Sequence, residues 1–87
     1  MKAVISVIGK DTVGIIAAVS ALLCKHNINI LDISQTIMKD LFTMIMLVDM
    51  QGKTVGDISE EIKQLEKDMN LSIHIQHEDI FNSMHRI

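Results

Sequence analysis

Gly9-Lys10-Asp11-Thr12-Val13-Gly14-Ile15 is the stretch on which the fold turns. An apolar, β-branched run from Ala3 to Ile8 precedes it, and an apolar helix-like run from Ile15 to Leu23 follows. A strand that passes through two glycines into a helix aims the helix's unpaired N–H groups, and its positive dipole end, at one point. A small carboxylate suits that point. The spacing is GxxxxG, but Ile15-Ile16 stand where a phosphate-binding loop needs Lys and Ser or Thr, and the dinucleotide GxGxxG is absent as well. Two readings stay open at this level: a turn built for a small anion or polar molecule, and a tight connection that binds nothing.

Working outward, Ala3 to Ile8 reads as a strand. Gly14 to about His26 reads as a helix, because Ile15, Ala18, Val19, Leu22 and His26 recur at helical spacing. Asn27 suits a left-handed helix stop. Ile28 to Met38 is a long strand whose alternation sets Ile28 and Ile30 against Asn29, Leu31, Ile33, Gln35 and Ile37. Lys39-Asp40 is a two-residue turn without the glycine such turns favour, and Leu41 to Val48 is a third strand. Thr54 caps a second helix in which Val55, Ile58, Ile62, Leu65 and Met69 share one face. Leu71, Ile73 and Ile75 alternate with Ser72, His74 and Gln76 in a fourth strand. The tail, Glu78 to Ile87, sets Ile80, Met84 and Ile87 on one side of a short helix.

The order βαββαβ plus a C-terminal helix predicts an α+β, ferredoxin-like sandwich. Its four-stranded antiparallel sheet carries two helices on one face. Residues 1–87 form a single domain, since 87 residues fill one two-layer core and no more. The other sheet face is left bare. Leu41, Ile45 and Leu47 oppose Phe42, Met44, Met46 and Val48 across the third strand, so both of its faces are apolar. Strands of that kind are buried on both sides, which points to self-association as a homodimer or tetramer. Ala17, Ser20, Ala21 and Cys24 add an uncharged outer stripe on the first helix, open to two readings: a surface that lets another helix approach, and an alanine-rich face chosen for helix propensity.

Composition excludes several classes. A net charge of −3, with Lys and Arg scattered, argues against nucleic acid, and Phe42 and Phe81 alone cannot build a base-stacking sheet. The longest uncharged stretch, which takes in Val13 to Cys24 and begins just after Asp11, falls short of the roughly 20 residues that span a bilayer. A lone Cys24 and no leader-like start favour the cytoplasm.

The turn, the Asn27-Ile28-Asn29-Ile30 segment and the element order together resemble an ACT domain over nearly the whole chain. The turn, Asp32-Ile-Ser-Gln-Thr36 and the Ile-Phe of the tail are similar to those of small stand-alone bacterial ACT proteins. The chain is also similar to the ACT halves of the glycine-cleavage-system transcriptional repressor. The resemblance implies a non-catalytic regulatory module that binds a small amino acid at a dimer interface and acts on a separate regulatory partner. By position it implies ligand-binding roles for Asp11, Thr12, Val13, Gly14 and Ile15 in the turn, and for Asn29 on the second strand. The charges then orient the ligand. Its carboxylate meets the N–H groups around Val13 to Ile15, its ammonium meets Asp11, and a branched side chain at Gly14 would take its space.

No enzyme chemistry competes with this. Cys24 sits late in a helix, away from the dipole end that favours a thiolate. His74, His77, His85 and Glu78 lack metal-ligand spacing. An acylphosphatase of this fold needs an Arg in the first turn, where the chain has Lys10. No cofactor is implied.

Overall fold

A computed structural model describes residues 1–78 of the chain. Six elements follow one another: β1 (Lys2–Lys10), α1 (Ile15–Lys25), β2 (Asn29–Met38), β3 (Leu41–Asp49), α2 (Val55–Met69) and β4 (Leu71–His77). All strand pairs are antiparallel, and the sheet order is β2-β3-β1-β4. The ferredoxin-like sandwich expected from the sequence is the fold. The tail helix, with Ile80, Met84 and Ile87, lies outside the described residues.

Alternation along the central strands builds the core. Ala3, Ile5 and Val7 of β1 sit opposite Val48, Met46 and Met44 of β3, and all six are fully buried beneath the helices. Ile15, Val19 and Leu23 come down from α1, and Ile58 and Ile62 from α2. No polar side chain is buried among the described residues, so hydrophobic burial rather than a polar network holds the layers together.

Local chemistry ends both helices. Asn27 takes a left-handed φ of 57°. Its N–H donates to the Cys24 carbonyl at 3.0 Å, and the Ile28 N–H donates to the Leu23 carbonyl at 2.9 Å. This is a Schellman stop, and the buried Ile28 and Leu23 are its hydrophobic partners. Asn70, at φ 55°, also ends α2 in the left-handed region, its N–H donating to the Glu66 carbonyl. At the start of α2 the Thr54 N–H donates to Asp57 Oδ2 at 2.8 Å. That bond holds the Asp57 carboxyl below its ordinary range.

Glu61 ties the helices together. It accepts from His26 at 2.7 Å and from Lys25 at 3.2 Å. The His26 ring first, then the Lys25 ammonium, hold its carboxyl below the ordinary value of 4.5. A depressed carboxylate contributes stability above its unfolded value and loses it as pH falls through the lowered one. The expected result is a Glu61→Gln variant that melts below the parent near about pH 7, with the gap closing toward about pH 3. The tie is exposed, so the gap is small and shrinks with added salt.

Two details depart from the sequence reading. Gly9 belongs to β1, paired with both Phe42 and Leu71, so of the two glycines flanking Lys10 to Val13 only Gly14 is a turn glycine. In β2 a bulge falls between Ile30 and Asp32. It absorbs Leu31 and changes the faces. Ile30, Ile33, Gln35 and Ile37 lie opposite Val48, Met46, Met44 and Phe42 on the helix side, while Asn29 lies opposite Asp49 on the other. The simple alternation that grouped Asn29 with Ile33 and Ile37 is thereby corrected.

The face away from the helices remains apolar. Ile8, Leu41 and Ile45 are 41%, 46% and 42% exposed there, beside the half-buried Leu47.

Candidate functional site: a cleft at the first turn

The connection from β1 to α1 is held from two sides. The Asp11 N–H donates to the Asp40 carbonyl at 2.7 Å, which pins the turn to the β2–β3 hairpin. The Thr12 hydroxyl donates to the Lys10 carbonyl at 3.2 Å. Gly14 then takes φ 94° and ψ 4°, a conformation open to glycine, and the helix begins.

No side chain caps α1, and its first turn carries no acidic residue. The Ala18 N–H is the first to reach back, to the Gly14 carbonyl at 2.9 Å. The N–H groups of Ile15, Ile16 and Ala17 lie ahead of that bond and face outward with the positive end of the dipole.

They open on a cleft of about 320 Å³, at the lower end of the range for small-molecule sites. Asp11, Thr12, Gly14 and Ile15 form one wall, and Gln35, Ile37 and Phe42 form the other. Phe42 is buried and floors the cleft, whereas Ile37 is 51% exposed. The chemistry on offer is an anion-binding helix end, a carboxylate, an amide and an apolar floor. These are the groups that a zwitterion with a small side chain would use.

The structure thus brings together four of the six residues singled out in the sequence. Val13 stands at the tip of the turn, 97% exposed and outside the cleft lining. Asn29 lies at the far end of β2. With Ser20, Cys24 and Asn27 it lines a separate hollow of about 470 Å³. That hollow is larger, but it abuts the C-terminal half of α1, where the dipole repels a carboxylate.

Gln35, Ile37 and Phe42 were not singled out as site residues. Only the folded hairpin sets them against the turn, and the tie from Asp11 to Asp40 has no local sequence signature. A Cβ at Gly14 would meet no protein atom within 4 Å, so within the protein itself a side chain there costs only backbone conformation. Gly14→Ala is expected to lose roughly 1–2 kcal/mol of stability in a urea titration, through φ alone.

Among the described residues no group of three or more His, Cys, Asp or Glu is placed to hold a metal. No described helix is long and apolar enough to cross a membrane.

Residues 2–76 match the family model of the ACT domain. A UPF0237 protein of Clostridium perfringens is 55% identical over 89 residues, covering all of both chains. Among solved structures, an ACT domain protein from Streptococcus pneumoniae shares 39% identity and a TM-score of 0.81 over 93% of each chain. A protein assigned as a glycine cleavage system transcriptional repressor aligns with 88% of this chain and 47% of its own. At 23% identity and a TM-score of 0.75, that likeness concerns the fold alone.

Proposed function

The chain belongs to the ACT domain family, and from that premise we propose that it is a non-catalytic regulatory module. It binds a small amino acid in the Gly14 cleft, at a subunit interface, and modulates a separate protein partner. One observation carries this reading: the uncapped N-terminus of α1 opens on a cleft that also holds Asp11. The ligand carboxylate lies toward the N–H groups that begin the helix, and the ammonium toward Asp11. Asn29, at the other end of β2, takes part from a second subunit.

The test is a thermal-shift screen against the twenty amino acids. Ligand at about 100 times its dissociation constant stabilises by roughly 2.7 kcal/mol, which is a clear shift for a domain of this size. A second reading, a ligand-free dimerisation module, is favoured by the apolar face of Ile8, Leu41 and Ile45. Flat shifts from a protein that sediments as a dimer would select it.

A further inference from the structure

Val4 is buried on the side of the sheet that the helices leave bare. Its neighbours along β1, Ala3 and Ile5, point into the core, so Val4 points away from α1 and α2. It is nonetheless only 6% exposed, whereas Ile8, four residues on along the same face, is 41% exposed. Every other buried apolar residue among those described belongs to the core cluster between sheet and helices, and Val4 does not. Its cross-strand neighbours, Leu47 of β3 and Gln76 of β4, stand beside it and shield its flanks. Closing its tip takes a layer on top.

The shelter is confined to one end of this face. The row that crosses the sheet through Val4 runs Gln76, Val4, Leu47 and Asp32, and its first three members are buried or half-buried. In the next row His74 and Ile45 are exposed on either side of Ser6. The sheltered row begins where β4 ends. His77 closes that strand, and the chain is already helical at Glu78. Asp79 to Ile87 follow. At helical spacing Ile80, Met84 and Ile87 fall on one side, and Asp79, Asn82, His85 and Arg86 on the other. Glu78 and Asp79 supply the acidic first turn that a helix dipole favours.

We propose that this tail lies as a helix across the bare face, at right angles to the strands, over Val4 and Leu47 of its own chain. The arrangement needs neither a ligand nor a second subunit. The lengths agree. A helix advances about 1.5 Å per residue, which puts Ile80, Met84 and Ile87 about 4.5, 10.5 and 15 Å beyond His77. Strands lie about 4.8 Å apart, which puts β1, β3 and β2 about 4.8, 9.6 and 14.4 Å from β4. Each apolar side chain of the tail therefore comes down on one strand: Ile80 on Val4, Met84 on Leu47 and Ile87 at the β2 bulge.

The β4 edge is no rival seat. An extended tail would have to add a strand there, and the Ile73 N–H on that edge already donates to Glu66 Oε2 at 2.8 Å, a carboxylate reaching over from α2. Ile8 and Leu41, at the far end of the face, stay clear of a helix that crosses at Val4, which accounts for their exposure.

Thiol reactivity in the full chain tests the placement. In a Cys24→Ser background, Val4→Cys should react with a maleimide about tenfold more slowly than Ile8→Cys. Adding Met84→Asp should raise the rate at position 4 about tenfold and leave position 8 unchanged, because an ionised carboxylate does not pack on Leu47. Asn82→Asp, on the other side of the helix, should change neither. Val7→Cys, in the core beneath the helices, reports general loosening and should stay protected beside Met84→Asp.

A thiol at position 4 as reactive as that at position 8, or one indifferent to Met84→Asp, overturns the proposal. Should Met84→Asp loosen position 7 as well, methyl NOEs in the parent decide. A Met84–Leu47 contact within one chain supports the docked helix. Its absence, a Met84 contact to Ile8 or Leu41 in its place, or a contact seen only between differently labelled copies overturns it.

Discussion

Gly9→Val should cost about 3 kcal/mol of stability, read as a lowered urea midpoint with an unchanged slope. A Cβ at Gly9 would stand 2.6 Å from Leu71 Cδ2 and 3.0 Å from the Asn70 carbonyl oxygen. The leucine tip can rotate aside. The carbonyl belongs to the residue that closes α2 in a left-handed turn, so moving it disturbs the helix stop and the first rung of β4 together. Valine's second γ-carbon deepens the clash, and its stiff χ1 leaves little room to avoid it. Gly9→Ala, which adds the Cβ alone, should cost about 1 kcal/mol, because the leucine absorbs most of it. Equal midpoints for parent and valine variant would mean that β4 does not begin against Gly9.

Asp11→Ala should weaken binding of the amino acid found by thermal shift by roughly 1.5–3 kcal/mol, about 10- to 150-fold by calorimetry. Alanine cannot accept the charged hydrogen bond that the carboxylate takes from an ammonium. Stability should stay within about 0.5 kcal/mol of the parent, because only the Asp11 backbone N–H is used in the fold and its carboxylate does not cap α1. That separation makes the variant informative, since the same residue as an N-cap would confound binding with folding. Unchanged affinity would place the ligand away from this turn.

Much of the architecture was legible from periodicity. The apolar steps of α2, the alternation of β4 and the left-handed stop at Asn27 are local patterns, and each reappears where local physics puts it. The site was legible only on its helix side. The bulge at Leu31 adds one residue with no glycine to mark it, and it changes which β2 side chains share a face with Asn29. Gln35, Ile37 and Phe42 reach the cleft because the hairpin folds back on the turn, a long-range event that no short window contains. The glycine pair misled in part, because a glycine needed for close packing and a glycine needed for positive φ look alike in a sequence.

Glu66 gives the molecule a property usually discussed for polymers. A unit with two reactive ends grows into a chain, whereas a unit with one stops at a pair. Every open sheet begins with two ends, and an apolar domain of this size would otherwise be a competent link in a fibre. By holding the Ile73 N–H, the α2 carboxylate occupies one outward hydrogen-bonding position near the middle of the β4 edge. A strand arriving there would have to displace that carboxylate before it could pair, so one side chain raises the cost of fibre-like growth at this edge.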